Sequence, residues 1–419
     1  MWFHSCLMGV PHVANVDVVE ALREFMVKAN PMIPPEITRE ENAERLWRLG
    51  TDPDAAKYNL IRCGKIRCIT RVVAVKYDLK SGIVYLKLAN DIVVRLLGLP
   101  DEETFMDMLR RPVLMEIAVG KPTPIAVLHR VYGGMYDAKL LLETCAEKDI
   151  PLLDALIAGY GYKPDWRLRI LMLPRILSTL RVDGIPIYVC QFTTPNTGKS
   201  FFAIKNRTAL NWAYTAEVPS LAFLVYDAKS GFPGVVVYRD GIAFDGVDKW
   251  SDAPFRLSRD YELLLTGMEE GVWARGVSTP VGEVHRYLNM IFFGNLPYIP
   301  STRHDREIVE GYLSSLWNSK VFIDRIAVCH VYTERITLSD YITGMYLPDG
   351  LLQRVVEEVS RLASRQPRYS SSLQGRYKLH ADRVYRALSV LMPSDVDKID
   401  VDTMVEHGFT YMLEVMQGG

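Results

Sequence analysis

Residues 185–202 read IPIYVCQFTTPNTGKSFF. Ile185 to Cys190 is a short, continuous apolar run, the pattern of a strand buried in a parallel sheet. Thr193, Thr194, Pro195, Asn196, Thr197, Gly198, Lys199 and Ser200 then follow the frame GxxxxGK[ST] of a phosphate-binding loop, with Thr193 at its first glycine. A bound polyphosphate needs backbone N–H groups aimed at it, a small residue at the point of close approach, a cation, and a hydroxyl for Mg²⁺. Gly198, Lys199 and Ser200 supply the last three, and the helix expected after them adds its positive end. A bare GKS is also found in ordinary loops. The buried strand before it favours the nucleotide site.

The chain has 419 residues, enough for a large core and two or three domains. It is 49% apolar and 24% charged with a formal net charge of −1, so any contact with nucleic acid must come from local basic patches. Cys6, Cys63, Cys68, Cys145, Cys190 and Cys329 are scattered, several in apolar runs, and read as buried reduced thiols. Cys63-x4-Cys68 has no second pair nearby and is not a zinc knuckle. No signal peptide and no apolar run of transmembrane length is visible, which implies a cytoplasmic protein without membrane contact. Its five glutamines are few, as in thermophiles.

Residues 1–55 read as mixed helix, with helical spacing over Val16 to Val27 and breaks at Pro31, Pro34 and Pro35. Ile66 to Leu88 carries two β-rich runs around the turn signal Asp78 to Gly82, and Val113 to Val119 adds a third. This segment predicts a small β-barrel or sheet. Arg62, Lys65, Arg67, Arg71 and Lys76 lie along it. A face that tracks a nucleic-acid backbone and a solvated, aggregation-resistant edge fit them equally well. Asp137 to Leu180 turns helical, with Pro174 expected to kink its last helix. The predicted division is 1–125 for the helical and β-rich part, 126–182 for a helical connector, 183–342 for the nucleotide-binding core, and 343–419 for a helical lid.

Within the core, strands alternate with helices, implying a parallel sheet. Leu221 to Tyr226 (LAFLVY) is expected as the first strand after the loop. Gly241 to Asp245 is the second. It ends in a carboxylate at the sheet edge where ligands sit in open α/β folds, so Asp245 is a metal candidate together with Ser200; a turn-forming Asp is the plain alternative. Met290 to Asn295 is the third, and Asn295 is a candidate to position an attacking water, or simply part of a Gly-Asn turn. Arg325 follows an apolar-acidic pair and fits either a surface ion pair or a cation reaching a neighbour's γ-phosphate. Leu351 to Leu362 and Leu379 to Leu391 are amphipathic helices flanking an Arg-rich loop. Arg383 on the second is a candidate nucleotide contact, and a last helix is expected over Val401 to Met416.

This order of loop, Asp, Asn, Arg and lid resembles the AAA+ ATPases. More narrowly, Ile157 to Pro164 (IAGYGYKP), Phe223 to Asp245, Phe293-Gly294-Asn295 and Phe322 to Ile326 look like the Lon-like ATPases of BREX antiphage systems, the BrxL family, over roughly residues 60–419. The resemblance implies ATP and Mg²⁺ as cofactors, a homo-oligomeric ring, an Arg325 acting across its interface, and duplex DNA as a partner in an antiphage-defence or mobile-element context. Two departures bear on turnover. Thr193 replaces the loop's first glycine, and Gly246 stands where an acid normally polarises the attacking water. Asp248 is the substitute if the turn bends it back. Family members also carry a protease-like domain with a Ser and Lys dyad; this chain ends after the lid helices, so no peptidase activity is expected. A hydrolysis-deficient scaffold that still binds nucleotide is the second expectation. A small-molecule kinase fits less well, because it leaves Arg325 and the lid unexplained.

Overall fold

The computed structural model describes residues 17–28, 45–46, 48–50, 52–78, 80–110, 113–131, 138–216, 219–227, 232–252, 259–274, 283–296, 304–313, 319–333, 336, 338–343, 346–347 and 349–408. Pro31, Pro34 and Pro35 lie outside them.

Helices α1 (Val18–Lys28) and α2 (Pro53–Cys63) open the described chain. Helix α2 is stopped at both ends by local chemistry. Asp52 accepts from the Asp54 and Ala55 N–H groups, Pro53 takes the first turn, and Gly64 closes it in the left-handed region at φ 72°. Strands β1 (Lys65–Thr70), β2 (Val72–Asp78), β3 (Ile83–Leu88) and β4 (Val93–Leu96), helix α3 (Glu102–Arg110), and strands β5 (Val113–Ala118) and β6 (Ile125–Val131) follow. Their pairing order is β1-β5-β6-β4-β3-β2. Only Arg71 separates β1 from β2, so both ends of that order belong to one bent strand, which rolls the sheet toward a barrel around Leu86, Val94, Val113 and Met115. That bend takes Arg71 inside. It is 6% exposed and donates to Gln353, so the expected basic face is reduced to Arg62, Lys65, Arg67 and Lys76, all exposed.

Helices α4 (Ala138–Glu147), α5 (Leu152–Gly159) and α6 (Trp166–Thr179) form the connector. Asp165 caps α6 through the Leu168 N–H, and Leu168, Leu171, Leu173, Ile176 and Leu177 are buried. The hairpin β7 (Arg181–Val182) and β8 (Ile185–Pro186) leads into β9 (Val189–Thr193). The predicted strand over Ile185 to Cys190 is thus split and shifted. Pro186 has no N–H for a central ladder, so the strand restarts beyond it.

The core continues with α7 (Lys199–Ala209), β10 (Trp212–Thr215), α8 (Leu221–Leu224), β11 (Tyr226–Asp227), β12 (Phe232–Pro233), α9 (Val235–Tyr238), β13 (Gly241–Asp245), α10 (Arg259–Glu270), β14 (Val272–Ala274), β15 (Glu283–His285), β16 (Asn289–Asn295), α11 (Asp305–Leu313), α12 (Ser319–Ile323) and β17 (Val328–Tyr332). Its sheet is parallel in the order β10-β13-β16-β9-β17. Strands β9 and β17 are buried throughout, as expected for a sheet covered on both faces. Leu221 to Tyr226 is not a sheet strand. The Ser220 hydroxyl accepts from the Phe223 N–H and caps a single helical turn, and the place beside β13 goes to Trp212–Thr215.

Helices α13 (Asp349–Ala363), α14 (Gly375–Leu391) and α15 (Val401–Glu406) complete the fold, and the remainder of the expected last helix lies outside the described residues. They join the connector, the loop helix and one face of the sheet in a single apolar cluster that includes Leu177, Phe202, Phe293, Val359 and Leu388. Among the described residues, Cys63, Cys68, Cys145, Cys190 and Cys329 are free thiols, and all but Cys63 are buried. No described helix is long and apolar enough to cross a membrane.

Candidate nucleotide-binding site

Strands β9, β13 and β16 run side by side and end together, with Thr193 opposite Asn295 and Asp245 opposite Phe293. This common register brings residues 50 to 100 positions apart to one carboxyl edge. Thr193 is the last strand residue, not the first loop residue. Its Oγ1 lies 2.6 Å from Thr197 Oγ1 and 2.8 Å from Lys199 Nζ, so the threonine at the missing glycine braces the loop from within. Asn196 and Gly198 take positive φ values of 66° and 72°. A Cβ on Gly198 would come within 2.5 Å of Leu338 Cδ1, which can swing aside, so it is the left-handed backbone that calls for glycine here.

Gly198 caps α7 without a side chain, leaving first-turn N–H groups for an incoming anion. Lys199 is 6% exposed and its Nζ is folded back onto Thr193 and the Thr194 carbonyl. Burial, then the neighbouring Arg175 charge, pull its pKa down to about 8. Asp245 and Asp248 oppose this from a distance, and a bound phosphate would supply a direct counter-charge.

Ser200 Oγ donates to Asp245 Oδ2 at 2.7 Å, and Tyr214 Oη donates to the same oxygen at 3.1 Å. A hydroxyl and a carboxylate are hard oxygen ligands, and their adjacency fits a Mg²⁺ that takes its other positions from water and phosphate. Tyr214 was not foreseen, because it belongs to the strand that the LAFLVY run was expected to provide.

Gly246 turns the chain at φ 77°, its N–H bonded to Phe293 O. The following 3₁₀ turn over Val247–Asp252 brings Asp248 back, and Asp248 Oδ1 accepts from the Asn295 N–H at 2.9 Å. Asp245, Asp248 and Asn295 therefore share one edge with Lys199 and Ser200.

Arg325 and Arg383 lie elsewhere. The turn at Arg325 precedes β17, and Ala327 N–H bonds Tyr188 O just before β9. That is the opposite edge of the sheet, the length of a five-residue strand or roughly 16 Å from the loop of the same chain. Arg325 pairs with Glu269, which also receives Arg376. Arg383 donates to Pro186 O and the Leu379 carbonyl at this same edge, so it cannot touch a nucleotide held by its own loop. The expected contact from Arg383 is corrected accordingly: α14 packs its first turns against the Asp324 turn, through Tyr377 and His380, rather than over the loop. A cleft of about 600 Å³ lined by Arg71, Asn211, Tyr238, Asp240, Arg286 and Glu357 also lies toward this edge and is separate from the loop.

The strand order, the loop and the edge carboxylate together define a P-loop core with the AAA+ fold. Residues 149–342 match the family model described as "Lon-like protease BrxL-like, ATPase domain", so the resemblance read from the sequence holds over that segment. Along most of its length the chain is similar to two viral proteins. ORF425 of Acidianus filamentous virus 2 is 28% identical, covering 82% of this chain and 89% of the relative. ORF426 of Acidianus filamentous virus 1 is also 28% identical, covering 85% and 89%. Protein 440 of Sulfolobus islandicus rod-shaped virus 1 is 25% identical over 62% of this chain and 61% of its own length. Among solved structures, the full-length MCM homolog from Methanopyrus kandleri matches at 14% identity and a TM-score of 0.44, over 84% of this chain and 78% of that one.

Proposed function

We propose that the chain is an ATP-dependent, ring-forming ATPase that works on DNA. The observation that carries this reading is the meeting of Lys199, Ser200, Asp245 and Asn295 at one sheet edge. Lys199 leaves the Thr193 and Thr194 oxygens and neutralises the β- and γ-phosphates, while the loop and α7 N–H groups hold their oxygens. Ser200 and Asp245 would hold Mg²⁺, which when bound neutralises phosphate charge. Asn295 orients the attacking water, and Asp248 accepts its proton in place of the acid absent at Gly246.

Arg325 acts on the nucleotide of a neighbouring protomer. Its position at the far edge supports action between chains, because it cannot reach its own loop. In a ring the far edge of one protomer faces the loop of the next, and Glu269 must release the guanidinium for that contact to form. Exposed Arg62, Lys65, Arg67 and Lys76 supply a basic surface for DNA phosphates. The viral relatives favour a mobile-element setting over a host defence role.

The test is phosphate release together with native mass of the full chain, with and without ATP and Mg²⁺, in wild type and Lys199→Ala. Assembly and turnover that depend on nucleotide and vanish in the variant are expected. A second reading is a nucleotide-gated DNA scaffold without turnover. It is favoured by Gly246 and by the engagement of Asp248 Oδ1 with the Asn295 N–H. ATP binding that Lys199→Ala abolishes, with no phosphate release from wild type, would establish it instead.

A further inference from the structure

Helix α6 places one more cation under the loop. Arg175 is fully buried, yet no carboxylate pairs with it among the described residues. Its Nε donates to Gln191 Oε1 at 2.7 Å, its Nη1 lies 3.8 Å from Met172 Sδ, and its guanidinium stacks over the Phe293 ring at 5.5 Å. Its Nη2 is buried with no hydrogen-bond partner. A Cβ built on Gly198 would stand 3.9 Å from Nη1 and 3.3 Å from Tyr162 Oη, so the guanidinium lies directly behind the turn that passes closest to a phosphate.

A buried, unpaired guanidinium is costly unless a counter-charge arrives. Burial pulls its pKa down to about 10, and among the described residues Tyr162, Asp245 and Tyr332 oppose that fall. Gln191 cannot neutralise it. Its carbonyl serves Arg175, while its amide donates to Leu171 O and meets His330 Nδ1. Lys199 adds a second positive charge beside it. Asp245 and Asp248 act on these two cations only through space, and a polyphosphate would bring anionic oxygens directly against the loop.

We infer that Arg175 is a second cation of the phosphate site, a positioning residue that holds the Gly198 turn from behind and adds its charge to the field on a bound di- or triphosphate. This deepens the proposed nucleotide function and rests on it. It also ties the connector helix to occupancy of the loop, since the charge is carried by α6. At an effective dielectric constant of about 20, a unit charge roughly 8 Å away is worth roughly a thirtyfold change in affinity per phosphate charge opposed.

The test is calorimetric binding of AMP, Mg-ADP, Mg-ATP and inorganic tripolyphosphate to the full chain, comparing wild type with Arg175→Met, Arg175→Gln and Arg175→Lys. Arg175→Met and Arg175→Gln are expected to weaken tripolyphosphate and ADP about tenfold or more and AMP much less, with Arg175→Lys recovering most of the loss. A loss equal for all ligands, or unchanged tripolyphosphate affinity in a variant that melts like wild type, overturns the inference. If Arg175→Met does not fold, the contrast between Arg175→Gln and Arg175→Lys decides it by the same criteria. Should wild type bind none of these ligands, the nucleotide function falls and this inference with it. If wild type binds and the neutral variants bind as well, only this inference falls.

Discussion

The Asp248 carboxylate accepts a hydrogen bond from the Asn295 backbone N–H at 2.9 Å, locking the end of β16 to the turn after β13. The left-handed Gly246 makes this contact available, and the residue lost as an acid at that position becomes the hinge that delivers another acid two residues on. Whether Asp248 works as a base or only as a brace separates a motor from a scaffold.

Asp248→Asn keeps an acceptor for the Asn295 N–H and removes the basicity. A base at this position predicts a fall in kcat of about 10² to 10⁴ with nucleotide affinity retained. Steady-state phosphate release and ATP binding by the same variant give both numbers, and unchanged turnover would assign Asp248 to bracing alone.

Arg325 sits a strand's length from its own loop, so its effect should be separable between chains. Arg325→Ala is expected to lower kcat by on the order of 10³ with little change in ATP affinity. Mixing Arg325→Ala with Lys199→Ala protomers should restore part of the activity, since one supplies an intact loop and the other an intact Arg325. A mixture no more active than its components would mean that Arg325 does not work in trans.

The surface Lys65 and Arg67 project from the same face of β1, opposite Ala118 and Glu116. If they contact DNA phosphates, Lys65→Ala and Arg67→Ala should each weaken binding to unrelated duplexes alike. Each should also reduce the slope of log affinity against log salt by about 1. Affinity insensitive to salt in wild type would remove this face from the DNA surface.

Two buried histidines set an acid limit. His330 Nδ1 faces the Gln191 amide donor, and His380 donates Nε2–H to Asp324 O with its Nδ1 toward Arg383. Burial holds both neutral and pulls their pKa values from 6.5 to about 3. Their folded values lie below the unfolded ones. Stability is therefore complete above about pH 6.5 and is lost as pH falls toward 3, at about 1.4 kcal/mol per pH unit for each histidine. Urea unfolding between pH 7.5 and 5 should show this slope, and His380→Gln should reduce it by about one proton.

Local chemistry is readable from residue order alone. The GKS triplet, the apolar run before it, the strands ending in Asp245 and Asn295 and the two amphipathic helices were legible because each depends on spacing within a short segment. The split at Pro186 and the helical turn at Leu221–Leu224 were legible in principle, through a missing N–H and a Ser220 cap, but apolar runs alone do not distinguish a strand from a short buried turn. The packing of distant segments settled which of them stands beside β13, and hence that Tyr214 joins Ser200 on Asp245. It also removed Arg71 from the surface, moved Arg383 to the far edge, and placed Arg175 under Gly198. Those outcomes depend on strand register and on which helix covers which face, relations between distant segments that no local pattern of residues encodes.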